Sequence, residues 1–330
     1  YMPYRQTWAE TRGWYMTLSR LGWLAPAWPK QYGGLGLPAE KLIAYIEESE
    51  AWGVARPPDQ GLVMIGPILM RFGTEEQRQR FLPKVLAGEH VWTQGYSEPN
   101  AGSDLASLRL EAVLDADHWV VNGQKTWTTL AQDANWIFLL VRTDKQAKKQ
   151  EGISFLLVDL STPGVTRRPI MTLGGHEEFC ETFFDNVRVP KDNIVGKVNE
   201  GWTMAKALLG FERIFLGSPK LSQVALNRLA LLGRSTGAFE DDRFRDKFTQ
   251  LRLDVADLTD QVGAGFRQAH HQDPLIAESF AVAVFRGVHD LPGEVLQARD
   301  RPVGIPSPWV RRILLKNALP QPVRAHRSGP

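Results

Sequence analysis

The chain has 330 residues, 43% hydrophobic and 23% charged, with 39 Lys and Arg against 37 Asp and Glu. That composition excludes disorder as the dominant state, and a net charge of +2 gives no electrostatic case for a nucleic-acid or membrane-surface partner. The longest apolar runs, residues 136–141 and 153–158, fall far short of the roughly 20 residues that span a bilayer. At roughly 150 residues per domain, the length suggests about two or three domains. A single cysteine, Cys180, rules out an intrachain disulfide and suits a reducing, cytoplasmic compartment. Tyr1 is not an initiator methionine and no basic-then-apolar leader opens the chain, so we expect a start inside a longer product or at a trimmed end.

Residues 1–90 read as helical. Leu42, Ile43, Tyr45, Ile46 and Trp52 give the segment 39–52 a helical apolar period. Thr74-Glu75-Glu76-Gln77 predicts a capping box, opening a helix that carries Phe81, Leu82, Val85 and Leu86 and stops at Gly88. Residues 29–38 and the Pro57-Pro58 pair read as loops. Residues 91–195 change character. Leu108 to Val113 alternates, Asp115-Ala116-Asp117 punctuates, and Trp119-Val120-Val121 runs into Asn122-Gly123, a strong hairpin signal. Residues 136–142, 153–158 and 183–190 read as further strands. With no helix between them, they predict an antiparallel β domain, not a Rossmann unit. From Glu200 the helical period returns, with one candidate from Trp202 to about Leu232, broken near Pro219, and a second from Arg243 to His271. Phe244, Phe248, Leu251, Val255, Leu258, Val262 and Phe266 form an apolar stripe on the second. The unaided reading is therefore α+β: a helical domain over 1–90, an antiparallel β domain over 91–195, and a helical domain over 196–330.

Five motifs, one N-terminal and four in order from Tyr96, carry more. Tyr96-Ser97-Glu98-Pro99-Asn100-Ala101-Gly102-Ser103-Asp104 resembles the signature of the acyl-CoA dehydrogenase family. About 25 residues on, Val121-Asn122-Gly123-Gln124-Lys125-Thr126-Trp127-Thr128-Thr129 is similar to that family's second flavin-contacting stretch. Phe184-Asp185-Asn186-Val187-Arg188-Val189-Pro190 resembles its β-domain exit, and Asn199-Glu200-Gly201-Trp202 the start of its first C-terminal helix. Gly22-Trp23 through Trp28-Pro29 to Tyr32-Gly33-Gly34 is similar to its N-terminal domain. The resemblance covers residues 15 to about 275.

The resemblance implies FAD as cofactor and an acyl-CoA as substrate, desaturated to a trans-2-enoyl-CoA. Hydroxyls and N–H groups at a flavin's edge fix the ring and stabilise charge on its reduced form. By the family's pattern, Ser97 and Thr129 would hydrogen-bond the isoalloxazine and Trp127 would pack on it. Backbone groups near Gln94 and Tyr96 would read its edge, and Ser103 would lie on the pyrophosphate or acyl-CoA side. Taken singly, Trp127 is also compatible with a hairpin core aromatic, and Ser97 and Thr129 with turn capping. Glu212, in Phe211-Glu212-Arg213 of the first C-terminal helix, stands where the helix-borne type of the family carries its α-proton base, with flavin N5 as hydride acceptor. Partial burial would raise its pKa toward neutrality. A surface Glu-Arg pair is the plain alternative; Arg213 would then face solvent, and otherwise substrate phosphate or a neighbouring subunit.

The resemblance also implies an electron-transfer flavoprotein as acceptor and a homodimer, homotetramer or hetero-oligomer. The family's later Arg-x-x-Phe-Gly motif is replaced by residues 232–240, leaving Arg234 as its nearest counterpart. His270-His271 reads as a helix end, Gly33-Gly34-Leu35-Gly36 lacks the Lys of a phosphate loop, and no metal site is predicted. The resemblance, which implies a barrel-like flavin and acyl-CoA domain over 91–195 and a C-terminal helical bundle, stops near Ser279, so the bundle is expected to be incomplete. Residues 291–330 hold seven of the 21 prolines and a charge of +5, and are expected to be an irregular, disordered tail of a truncated or out-of-frame end. A catalytically silent partner subunit or a non-functional product is the alternative reading. An acyl-CoA oxidase or nitroalkane oxidase of the same fold is another.

Overall fold

The computed structural model describes residues 7–38, 41–42, 45, 60–216 and 220–272, and the side chains at 210–221 and 262–272 lie outside that description. Most of the predicted 39–52 helix, the Pro57-Pro58 loop, Pro219 and the whole predicted tail also fall outside it. Helix α1 (Trp8–Arg20) opens on a capping box from Thr7 and Glu10. A π-helical turn, Gln60–Ile65, runs into α2 (Gly66–Phe72). Helix α3 (Glu75–Leu86) starts on the predicted capping box at Thr74. Gln77 does more than close that box. Its Nε2 also donates to the carbonyls of Asp192 (2.8 Å) and Ile194 (2.7 Å), tying the helices to the far end of the β domain. The Trp8 N–H makes a second tie, to the Asp133 carboxylate at 2.8 Å.

The β domain is one eight-stranded sheet: β1 (Trp92–Gly95), β2 (Glu111–Asp115), β3 (His118–Thr129), β4 (Trp136–Arg142), β5 (Ile153–Asp159), β6 (Val165–Ile170), β7 (Phe179–Pro190) and β8 (Ile194–Val195). The order is β6-β7-β3-β2-β4-β5-β8, with β1 beside β4. It is antiparallel as predicted, apart from the β1–β4 pairing and a single parallel β2–β4 contact. One local prediction is corrected. Asn122-Gly123 is not a hairpin turn but lies inside the 12-residue β3. The turn is the tighter Ala116-Asp117, with Ala116 at φ 52°. Gly123, at φ 131°, serves a bulge between Val121 and Gly123. A side chain there would meet Leu110 Cα at 3.2 Å. Asn122 Oδ1 meanwhile accepts from the Asn186 N–H on β7 at 2.8 Å. Positive φ and a short amide were correctly read; both serve a bulge.

The sheet buries a different core on each face. Ile137, Leu139, Val141, Leu156 and Val158 fill one with aliphatic side chains. Trp92, Trp136, Phe138 and Phe155 meet the helices on the other, with Trp28, Ile65, Leu69, Phe81 and Val85. His90 sits within the second, its ring 4.9 Å from Trp136 and 5.8 Å from Phe81. Burial, and secondarily the Lys84 charge, pushes its pKa down to about 4.

Helix α4 (Gly201–Leu216) packs Met204, Ala205 and Leu208 into this same helical-side core. Helices α5 (Lys220–Thr236) and α6 (Asp242–Gln272) follow. The predicted stripe on α6 begins as an aromatic cluster, with Phe239 edge-on to Phe244 and Phe248. Farther along, Leu251 and Leu258 are exposed.

Candidate flavin and acyl-CoA site

Strand β1 delivers the first motif. After Gly95 the chain passes through Tyr96 and Ser97 into a tight bridge, in which Glu98 and Ala101 exchange backbone hydrogen bonds at 3.0 Å. Glu98 then turns inward. Its carboxylate accepts the N–H groups of Arg109 (2.7 Å) and Leu110 (2.8 Å) and the ammonium of Lys125 (2.9 Å). Lys125 is fully buried and also donates to the Tyr96 carbonyl at 3.0 Å. Burial pushes its pKa down to about 8 against the pull of Glu98, so it stays mainly protonated at neutral pH. A buried charge persists only when paired and hydrogen-bonded, and every contact here meets that condition. Lys125 thus grips the residues on both sides of Ser97, and the Thr126 N–H donates to the Ser97 carbonyl at 2.9 Å. The Ser97 peptide is pinned from three directions. Its hydroxyl makes no hydrogen bond among the described residues.

The second motif lies across from it on β3. A register shift between Lys125 and Thr128 puts Trp127 at φ 59°. Its indole is 58% exposed and stands edge-on to Phe179 at 5.9 Å. A large aromatic held out by a left-handed backbone is not packed as a core residue, which removes the hairpin-core alternative. Thr128 is buried, its hydroxyl donating to the Cys180 carbonyl at 2.8 Å. Thr129 is half-buried, and its carbonyl accepts from the Thr93 hydroxyl at 2.7 Å. Ser97, Trp127 and Thr129 therefore share one end of the sheet.

Ser103 is exposed in the turn beyond the bridge, next to the Asp104–Lys149 ion pair (3.0 Å). Position 212 lies on α4, one turn past buried Leu208, but the side chains of Glu212 and Arg213 are outside the described residues. Arg234 is exposed on α5 and Cys180 is a buried free thiol, raised in pKa by burial. Gly33 to Gly36 folds around Trp28 as a packing loop, the Gly36 N–H donating to the Trp28 carbonyl at 2.9 Å.

Residues 93–187 match the acyl-CoA dehydrogenase middle domain, and residues 1–89 its N-terminal domain. The solved ChsE4-ChsE5 complex from Mycobacterium tuberculosis superposes with a TM-score of 0.70 and 33% identity, over 82% of this chain and 71% of that one. The chain belongs to the acyl-CoA dehydrogenase family. The Mycobacterium tuberculosis acyl-CoA dehydrogenase IpdE1 is 42% identical over 247 residues, covering 73% of this chain and 63% of that protein. A solved structure titled Tcur3481-Tcur3483 steroid ACAD is 34% identical, with a TM-score of 0.68 over 76% of this chain and 65% of that one. The chain thus spans just under two thirds of the curated relative's length.

FAD is the cofactor of this family, and one neighbour of the same fold is titled as complexed with it. The residues present fit it. Trp127 offers a bare indole, and Ser97 a hydroxyl on a fixed peptide with no hydrogen-bond partner among the described residues. The motif reading passed over the Glu98–Lys125 pair, which holds the two stretches together. A carboxylate and an ammonium at corresponding places in two motifs were visible in the sequence, but their burial was not.

Proposed function

We propose that this chain takes part in FAD-dependent α,β-dehydrogenation of an acyl-CoA thioester to a trans-2-enoyl-CoA. Support comes chiefly from the way β3 carries Trp127 and Thr129 beside the Ser97 peptide, held there by the Thr126 N–H on the Ser97 carbonyl. In this reading Ser97 and Thr129 hydroxyls hold the flavin edge, together with backbone groups at Gln94 and Tyr96. Trp127 covers one ring face, and Ser103 and Arg213 take the phosphate-bearing end. Glu212 accepts the α-proton. Bound FAD supplies the acceptor for the β-hydrogen, which leaves as hydride while the Cα=Cβ bond forms. Pinning Ser97 keeps its hydroxyl aimed before substrate arrives, so no reorganisation is needed during reaction. Electrons then pass to an electron-transfer flavoprotein. The two-protein titles among the structural neighbours favour an oligomer containing a second chain.

The same observation favours a second reading, in which this chain is the silent member of such a pair. Anaerobic addition of acyl-CoA to the yellow protein separates them: bleaching of the flavin's visible band supports dehydrogenation, and a yellow protein that never bleaches supports the silent subunit. Rapid reoxidation by oxygen would instead mark an oxidase. Glu212→Gln should keep its flavin and lose at least roughly a hundredfold in bleaching rate. An unchanged rate removes Glu212 as the base.

A further inference from the structure

The helical face of β1 carries polar atoms that no other described residue satisfies. Side chains alternate along a strand. Gly95 turns toward the aliphatic core, where an added Cβ would come within 2.9 Å of Ile137. Trp92 and Gln94 therefore face the helices. Among the described residues, Trp92 Nε1 and Gln94 Nε2 are buried donors with no hydrogen-bond partner, and Gln60 Oε1 is a buried acceptor with none. Trp92 is 3% and Gln60 6% exposed. Gln60 opens the π-helical turn that packs on β1. Gly61, the next residue, lies against the indole: a Cβ there would sit 3.2 Å from Trp92 Cδ1, the carbon bonded to Nε1. Two donors and an acceptor thus gather where strand and turn meet. π-turns recur at ligand sites because they widen a helix locally.

Native cores rarely leave such atoms unpaired, since each forfeits its hydration. Trp92 belongs to the core layer that also holds Leu208 of α4 and Tyr96, the residue before Ser97. We infer that this polar seam receives a hydrogen-bonding oxygen, hydroxyl or ketone, set in the otherwise apolar acyl group of the substrate. The inference rests on the proposed acyl-CoA site and names the substrate class for it. An all-hydrocarbon acyl group laid along β1 would strand the three atoms. A hydroxyl would accept from Trp92 or Gln94 and donate to Gln60, and a ketone would use the two donors.

The test is calorimetric binding to the FAD-loaded full chain. The probes are pairs of straight-chain and alicyclic acyl-CoAs, each pair differing by one hydroxyl or keto oxygen remote from the thioester. We expect the oxygenated member of at least one pair to bind roughly tenfold tighter. Gln60→Met and Gln94→Met, near-isosteric losses of polarity, should each collapse that ratio. Equal affinity within every pair would mean that ordered water alone fills the seam, and overturns the inference. So would a preference that survives both substitutions, or no binding of any CoA thioester. Because calorimetry does not need turnover, a preference seen without flavin bleaching would sink the reaction and keep the seam.

Discussion

Two buried polar clusters border β1 and obey opposite rules. Past its C-terminal end, Glu98 and Lys125 bury a full charge pair, with both partners bonded again to backbone. Along its helical face, Gln60 Oε1, Trp92 Nε1 and Gln94 Nε2 are buried with no hydrogen-bond partner among the described residues. The first cluster is the costlier to desolvate and is the one completed. Completion suits a frame: the pair fixes Ser97 against β3 whatever else is bound. Vacant hydrogen-bonding capacity suits a surface that meets something brought from outside.

The sharpest way to break this contrast is to remove half of the charged pair. Lys125→Met leaves the Glu98 carboxylate buried with backbone donors alone, and should lower unfolding free energy by about 3–5 kcal/mol in urea titration. Combining Lys125→Met with Glu98→Gln should recover part of that loss. A loss near zero for Lys125→Met would show that the pair is no frame. Next in size is His90, beside Trp92. Its folded pKa near 4 lies below the unfolded value of about 6.5, so the fold prefers the neutral ring. Its contribution is complete above about pH 6.5 and drains away as pH falls through 4, by up to about 3 kcal/mol. His90→Phe should flatten the pH dependence of stability across that window, read from urea midpoints at several pH values; an unchanged slope would place the acid sensitivity elsewhere. The smallest effect belongs to the unpaired cluster. Gln60→Met removes an acceptor with no hydrogen-bond partner among the described residues, so the ligand-free chain should be unchanged or stabilised by up to about 1 kcal/mol in thermal melts. A clear fall in melting temperature would reveal a hidden partner and erase the contrast.

Local signals in the sequence were sound where they depended on neighbours along the chain. The Thr74 capping box formed as spelled, because a cap needs only residues three apart. The strands at 136–142 and 153–158 read clearly because both are almost wholly apolar, Arg142 and Ser154 apart, and buried on both faces. Asn122-Gly123 misled because a bulge in a long paired strand calls for the same residues as a turn, and only the partner strand β7 chooses between them. At the site, the motifs named Ser97, Trp127 and Thr129. That Trp127 is bare while Thr128 beside it is buried follows from the register shift against β7, which no window of sequence contains.

By itself the sequence determined the α, β, α order, the family and the short hydroxyl and aromatic residues offered to a flavin, since these rest on periodicity and on motifs contiguous in the chain. Tertiary structure alone decided which polar groups are finished and which are left open. Glu98 and Lys125 are 27 residues apart, and Gln60 and Trp92 are 32 apart. Whether such distant groups bond or stay unpaired depends on how the sheet and helices close over them. That closure removes water, and water is what makes an unpaired polar atom cheap in the unfolded chain.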